Sequence, residues 1–212
     1  MKKKTLKKTW KKVWNFIWED NSIWSWIVNI ILAFILIKFI VYPGLGLALG
    51  TSYPIVAVVS NSMEHNNLNF DDWWQNSEEY YSGIGIVKSS FEKFPLKNGF
   101  NKGDIMILWR ANPNNIKIGD VIVFISARTN PKPDPIIHRV IIIEEKDDNI
   151  IYQTKGDNYV TNRRQINGCF YDGCIYESDI WQNQILGKAL FKVPYLGYIK
   201  IWFVDLLNLL IK

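Results

Sequence analysis

The sequence predicts a mainly β protein: an antiparallel domain, partly closed as a barrel or sandwich, with an N-terminal transmembrane helix and a C-terminal apolar helix. Three observations support this fold class. An apolar run at residues 27–41 follows a lysine-rich N-terminus. From residue 105 onward, short β-branched runs alternate with turn signals, which is the pattern of successive strands. No long amphipathic helix interrupts them, as is typical of partly closed antiparallel sheets.

Residues 1–22 predict a basic helix at the cytoplasmic face of a membrane. Seven of the first twelve residues are lysine, and lysines beside an apolar span mark its cytoplasmic side. Trp10, Trp14 and Trp18 recur every four residues, so they form one stripe of a helix. Such rings settle at the level of lipid headgroups. A nucleic-acid-binding arm and a helix face packed on protein are the alternatives, and we favour the membrane surface over both.

Residues 23–42 predict one membrane-spanning helix. At about 1.5 Å per residue, this segment reaches the roughly 30 Å that a bilayer core requires. Lys38 lies near its far end, where a long side chain can extend its ammonium group to the headgroups. Pro43 then predicts the end of the helix. We therefore expect a protein of the cell membrane, with a cytoplasmic N-terminus and residues 51–198 as one domain on the extracytoplasmic face.

Two segments remain beside the strands. Residues 66–101 are the least regular part, and they predict a short helix over 70–81 that ends by Gly83. Their aromatic side chains either dock on lipid headgroups or on the domain's own cleft, or form a small cluster of their own. Residues 199–212 are apolar but short for a span. An interfacial helix and a second membrane helix are both open there, and we favour the first.

A candidate nucleophile follows the first predicted strand. Residues 55–59 are apolar and largely β-branched, and Ser60 and Ser62 come directly after them. Serine is a weak nucleophile unless a base activates it, and the chain has only two histidines, His65 and His138. His138 lies in a β-branched run, so a strand would hold it. His65 is only three residues from Ser62 and would have to fold back.

An acid in a turn completes this set of groups. Asp157 follows a predicted strand at residues 150–154 and sits next to a glycine. Serine, histidine and aspartate at strand ends are the nucleophile, base and orienting acid of acyl transfer. Spacing along the chain does not establish that the three side chains meet.

Five short segments follow one another along the chain: Ser60-Asn61-Ser62-Met63, Gly119-Asp120-Val121-Ile122-Val123-Phe124, His138-Arg139-Val140, Lys155-Gly156-Asp157-Asn158, and Gly187-Lys188-Ala189 with Pro194-Tyr195-Leu196-Gly197. In this order they resemble the S-x-S-M, G-D-[IV]-[IV]-x-[FY], H-R-[IV], K-G-D-N and G-K-x…[IV]-P-Y-[IL]-G boxes of type I signal peptidases. An H-R-[IV] box is typical of the archaeal and endoplasmic-reticulum branch, where bacterial members carry a lysine in place of the histidine.

The resemblance implies a signal-peptidase or LexA-like β-fold and a membrane-anchored serine endopeptidase. Such an enzyme removes signal peptides from exported preproteins after small residues, through an acyl-enzyme. Two alternatives stay open. One is an anchored, non-catalytic β-domain that binds extended peptides by strand addition. The other is a self-cleaving protease of related fold.

The resemblance also implies roles for individual residues. Ser62 is the nucleophile, His138 the general base and Asp157 the acid that orients the imidazole. The Ser60 hydroxyl helps to hold the oxyanion. Members of this branch usually have a second acid a few residues beyond K-G-D-N, but residues 159–165 contain none. The alternative acids further along the chain are Asp172, Glu177 and Asp179.

The expected substrates are the signal peptides of preproteins. The lipid membrane and the protein-export machinery are expected partners, and we expect no nucleic acid and no cofactor. An apolar pocket narrowed by β-branched side chains favours small substrate residues such as alanine. The residues expected to line this pocket are Ile55, Ala57, Val59, Val121 and Val123.

Two cysteines, Cys169 and Cys174, enclose a four-residue loop. If this part of the chain lies outside the cell, we expect a disulfide between them, and two free thiols are the alternative. Without partner histidines, two cysteines do not indicate a metal site.

Overall fold

The computed structural model describes residues 2–126, 135–146, 149–170 and 173–211. The chain divides into two compact units, Met1–Ala48 and Leu49–Lys212. The helical elements of the N-terminal part are α1 (Lys2–Trp18), α2 (Ile23–Leu36), a π-helical turn (Ile37–Val41) and α3 (Tyr42–Leu49).

Polar side chains fasten the beginning of α2 to the end of α1. Ser22 caps α2 by accepting a hydrogen bond from the Ser25 amide at 3.3 Å. The Ser25 hydroxyl donates to the Phe16 carbonyl at 2.5 Å, and the Asn29 amide donates to the Ile17 carbonyl at 2.8 Å. These bonds satisfy carbonyls that the last turn of a helix leaves unpaired. They also provide a partner for the one amide side chain in the apolar run.

The apolar helix is longer than the sequence predicts. It runs from Ile23 to Leu49, 27 residues, and its most apolar part has no buried side chains. At 1.5 Å per residue it is about 40 Å long, enough by length and composition to cross a bilayer. The predicted end at residue 42 does not match, because the helix continues through Pro43. A π-helical turn precedes Pro43, and such turns commonly accompany local disruptions of the hydrogen-bond ladder.

The second unit is built on a curled, fully antiparallel seven-stranded sheet, which confirms the predicted mainly β, half-closed architecture. The strand order is β1-β2-β9-β3-β4-β5-β8, and β6 and β7 form a separate hairpin. The strands are β1 (Ile55–Ala57), β2 (Ile105–Trp109), β3 (Val121–Phe124), β4 (Ile136–Lys146), β5 (Asn149–Lys155), β6 (Asn167–Phe170), β7 (Gly173–Tyr176), β8 (Ile180–Trp181) and β9 (Ile185–Val193). Short 3-10 turns lie at Pro113–Asn115 and Gln182–Gln184.

Residues 66–101 fold onto the sheet. They contain α4 (Phe70–Gly83), capped by Asn69, and α5 (Lys88–Phe91), in agreement with the helix predicted over 70–81. The aromatic side chains of this segment are buried with Ile141 of β4. Of the alternatives left open by the sequence, a cluster packed on the protein's own domain is the one observed. Its buried rings are Trp73, Trp74, Tyr81 and Phe91.

The core of the sheet supports the segment that follows β1. Met63 is fully buried and packs in one cluster with Val58, Phe100 and Met106. Burying a side chain of this size contributes roughly 1.5–3 kcal/mol, so the residue after Ser62 anchors the loop. At the C-terminus, α6 (Tyr198–Ile211) has 14 residues, fewer than the roughly 20 that a membrane helix needs.

Candidate active site

The backbone on both sides of Ser62 is fixed by hydrogen bonds to the K-G-D-N loop. The Asn158 amide donates to the Ser62 carbonyl at 2.9 Å, and the Asn158 side chain donates to the Asn61 carbonyl at 2.9 Å. Gly156 packs so closely that a Cβ added there would lie 2.6 Å from the Ser62 carbonyl oxygen. A glycine is therefore required at this point of the loop.

The hydroxyl groups of Ser60 and Ser62 face each other at 3.1 Å. Ser60 is exposed and Ser62 is half-buried, so both are open to solvent at a strand end. Within the described residues, no hydrogen bond joins the Ser62 hydroxyl to the imidazole of His138. In the absence of substrate such contacts are often long, and they tighten when substrate binds.

His138 lies on β4 opposite Ile122 of β3, and only 3 % of its surface is exposed. Its Nδ1 contacts the carboxylate of Glu177, which is fully buried. The same carboxylate accepts hydrogen bonds from the Thr154 hydroxyl at 3.2 Å and from the Ile166 amide at 2.5 Å. No described residue bonds the second ring nitrogen, Nε2. The sheet thus holds a histidine whose Nδ1 is hydrogen-bonded to the carboxylate of Glu177.

Asp157 does not contact His138, although the sequence predicts it as the orienting acid. Its carboxylate accepts hydrogen bonds from Arg139, with Nε at 2.9 Å and Nη2 at 2.6 Å, and from the Tyr81 hydroxyl at 3.0 Å. Successive residues of a strand point to opposite faces. His138 and Arg139 therefore diverge, and Asp157 lies on the arginine's side of the sheet. The acid at the imidazole is Glu177, one of the three alternatives.

Burial by itself raises the pKa of the Asp157 carboxyl, but the charge and hydrogen bonds of the Arg139 guanidinium, together with the nearby His65 ring, outweigh it and hold the pKa far below its ordinary range. Burial likewise lowers the pKa of Arg139, yet the Asp157 charge raises it above the usual value. The pair is therefore fully ionised at neutral pH. Both side chains have no exposed surface, so each charge depends on the other.

Similarity to known proteins agrees with this geometry. No family model matches the chain. The signal peptidase complex catalytic subunit SEC11 of Lachancea thermotolerans is 30% identical over 134 residues, which cover 58% of this chain and 73% of that protein. The chain belongs to the SEC11 family of signal peptidases. The SEC11 subunit of Yarrowia lipolytica is 28% identical over 141 residues, 63% of this chain and 76% of that subunit. Human SEC11C is 26% identical over 162 residues, 76% of this chain and 62% of the human protein.

The family assignment confirms the resemblance found in the sequence boxes. SEC11 proteins are named as catalytic subunits of the signal peptidase complex, so family membership supports a peptidase. Two other groups in the domain could act as bases, His65 and Lys155, and the structure encloses both. The His65 ring stacks on Trp73 at 3.8 Å, and burial lowers its pKa. The Lys155 amine donates to the Gly156 carbonyl at 2.7 Å, and burial lowers its pKa to about 8.

The predicted pocket residues divide into two groups. Ile55 and Ala57 are half-buried on β1 and Val59 is 53% exposed, so a peptide can reach these three. Val121 and Val123 have no exposed surface and pack in the core with Met106 and Leu108. They are core residues rather than pocket walls, because β3 is buried on both faces.

The structure also places the remaining predicted groups. Cys169 and Cys174 are joined by a disulfide and pair across the β6–β7 hairpin. Asp172 lies outside the described residues, and Asp179 is half-buried. Within the part of the chain that the structure describes, no cluster of three or more His, Cys, Asp or Glu side chains could hold a metal ion.

The sequence offered Glu177 only as one of three alternative acids, because no box marks it. It lies 39 residues beyond His138, outside every segment that carries the family resemblance. The one available signal was negative: residues 159–165 have no acid. Asn158 was part of a recognised box, but its grip on the Ser62 loop depends on contacts across 97 residues.

Proposed function

We propose that this chain is a membrane-anchored serine endopeptidase that removes signal peptides from exported preproteins. The observation that carries the proposal is the common attachment of the two reactive segments. The loop of Ser62 is fastened to Asn158, and β4, which carries His138, pairs with β5, which leads into Asn158. Family membership supports the peptidase activity, and the exposed helix Ile23–Leu49 supports the anchor.

In this mechanism the Ser62 hydroxyl attacks the scissile carbonyl, and Nε2 of His138 takes the hydroxyl proton. The oxyanion of the tetrahedral intermediate is held by the Ser62 amide and the Ser60 hydroxyl, and one such donor is typically worth about 10²–10³ in turnover. The imidazolium then gives its proton to the leaving amine, which departs as the mature protein's N-terminus. A water activated by His138 hydrolyses the acyl-enzyme and releases the signal peptide.

His138 is proposed as the base in preference to His65 and Lys155. The two nitrogens of His65 are buried and have no hydrogen-bond partner in the described residues, and Trp73 covers one face of the ring. The Lys155 amine is bound to a carbonyl and lies 5.0 Å from the centre of the Tyr81 ring. Neither group can meet a hydroxyl without leaving its enclosure, whereas Nε2 of His138 has no hydrogen-bond partner among the residues that the structure describes.

Preproteins are the proposed substrates. A peptide laid beside β1 would meet Ile55, Ala57 and Val59 at alternate positions, and these side chains leave room for small residues. SEC11 relatives are subunits of a signal peptidase complex by name, and we extend to this chain an association with the export machinery and with the lipid bilayer.

The test is cleavage of a precursor with an A-x-A site by the full chain in lipid nanodiscs. Wild type and the control Ser89→Ala, an exposed serine on α5, should cut the precursor. Ser62→Ala and His138→Ala should leave it intact. Precursor binding without cleavage by the wild type would favour the non-catalytic peptide-binding domain. Cleavage of the chain itself, with the precursor untouched, would favour a self-cleaving protease.

A further inference from the structure

We propose that Glu177, delivered by the β6–β7 hairpin, is the residue that positions His138, in place of an acid on the K-G-D-N loop. The inference rests on the proposed function and deepens it, because it assigns the third group of the same site. It also accounts for the missing acid in residues 159–165.

The surroundings of Glu177 suit an ionised carboxylate that accepts a hydrogen bond from a protonated ring nitrogen. The carboxylate has no exposed surface, yet no cation lies within ion-pair distance of it among the described residues except His138. Its two oxygens accept from the Thr154 hydroxyl, the Ile166 amide and Nδ1 of His138. A buried carboxylate is stable when donors surround it in this way.

The contact fixes the state of the imidazole. An ionised carboxylate can only accept hydrogen bonds, so Nδ1 must carry the proton and Nε2 must present its lone pair. When Nε2 takes the Ser62 proton, the resulting imidazolium lies against a negative charge. The proton on Nδ1 stays there throughout, so Glu177 acts on the reaction only through the orientation and charge of His138.

Asp157 is committed to a different task. Its oxygens accept from Nε and Nη2 of Arg139 and from Tyr81, and Arg139 also donates to the carbonyls of Pro95, Leu96 and Gly119. Turning Asp157 towards His138 would leave a buried guanidinium without a counter-charge. Asp157 therefore holds the insertion and the K-G-D-N loop together, and it is not available to the imidazole.

The hairpin places Glu177 with backbone bonds on each side. Glu177 donates its amide to the Ile166 carbonyl at 3.0 Å and accepts at its own carbonyl from the Thr154 amide at 2.8 Å. The Asn167 side chain accepts from the amides of Glu177 and Ser178 at 3.0 Å and 3.1 Å. The Cys169–Cys174 disulfide closes the far end of the same hairpin. Glu177 thus lies at the open end of a hairpin whose other end is closed by the disulfide, and it is hydrogen-bonded to β5.

The experiment compares Glu177→Gln, Glu177→Asp and Asp157→Asn, with the exposed Glu145→Gln as a matched control, all in the full chain. We expect kcat of Glu177→Gln to fall by at least about 100-fold, with little change in KM, as for loss of an orienting acid. The acidic limb of its pH–rate profile should move to lower pH, because an imidazolium without the carboxylate is less stable. Glu177→Asp should recover part of kcat, and Glu145→Gln should match wild type. A purely structural role would not move the pH profile.

A second readout does not depend on activity. In the chain labelled with ¹⁵N-histidine, the Nδ1 proton of His138 should give a low-field NMR signal, and His65→Phe assigns it because the chain has only two histidines. The signal should disappear in Glu177→Gln and persist in Asp157→Asn. The opposite pattern, or full activity and an unshifted profile in Glu177→Gln, would overturn the proposal. A wild-type chain that cuts no precursor but shows the Nδ1 signal would contradict the proposed function and leave the contact between Glu177 and His138 supported.

Discussion

Asp157→Asn provides the sharpest test of how the site is held together. Arg139 makes its charged contacts with no exposed surface, and its guanidinium also lies 4.7 Å from the centre of the Phe91 ring. The substitution keeps the size of the side chain but removes the only carboxylate that pairs with Arg139 in the described residues. Removing one partner of a buried ion pair typically costs about 3–5 kcal/mol. For a chain of this size, that corresponds to a fall of about 6–20 °C in Tm.

The pH dependence of this loss has a definite sign. The folded-state pKa of Asp157 lies below its ordinary value, so the carboxylate stabilises the fold fully above the unfolded-state pKa of about 4. Its contribution disappears as the pH falls through the folded-state pKa. The difference in the free energy of unfolding between wild type and Asp157→Asn should therefore be constant from pH 5 to 7, and it should shrink below about pH 4.

The assay is urea unfolding of the full chain in detergent micelles, followed by tryptophan fluorescence. The double variant Asp157→Asn/Arg139→Met is the matched control, because it removes the orphaned charge along with its partner. The double variant should recover much of the stability lost in the single variant. A loss below about 1 kcal/mol in Asp157→Asn, the value of an exposed pair, would refute the reasoning. A double variant less stable than Asp157→Asn would do the same.

Three further predictions test neighbouring features. Gly156→Ala should lower kcat, because the added Cβ would lie 2.6 Å from the Ser62 carbonyl oxygen. The control Gly83→Ala has open space around the added Cβ and should leave precursor cleavage unchanged. Equal cleavage rates in the two variants would contradict the packing of Gly156 against the Ser62 loop. Burial lowers the pKa of His65, so the fold should lose stability as the pH drops below about 6.5. His65→Phe should keep the stack on Trp73 and make Tm nearly independent of pH between pH 5 and 7. If Tm of this variant falls with pH as steeply as that of wild type, His65 is not the source of the pH dependence. Replacing both Cys169 and Cys174 with serine should lower the free energy of unfolding by up to about 2 kcal/mol. It should also reduce kcat, because Glu177 would be held less firmly; both quantities are compared with those of wild type, with and without reductant. If the reductant affects the double variant as much as wild type, the disulfide is not responsible for the loss of stability and activity.

Local sequence patterns were reliable for individual elements. Residue 105, where the sequence predicts that the strands begin, is the first residue of β2. The strand predicted at residues 150–154 lies within β5, and the helix predicted over 70–81 lies within α4. The predicted end of the apolar helix differs from the observed end at Leu49, because a proline usually ends a helix and the π-helical turn before Pro43 cannot be read from composition. Val121 and Val123 were predicted to line an apolar pocket narrowed by β-branched side chains. That inference failed because β3 is covered on both sides.

The sequence by itself determined the class of the domain, the apolar helix, and the serine and histidine proposed to react, because these depend on local periodicity and on short boxes of neighbouring residues. The tertiary structure alone decided which acid serves which base. Adjacent residues on β4 face opposite sides of the sheet. Arg139 therefore pairs with Asp157, and His138 is hydrogen-bonded to an acid from another part of the chain. Glu177 reaches it from 39 positions away, through a hairpin whose placement depends on contacts that no local pattern encodes.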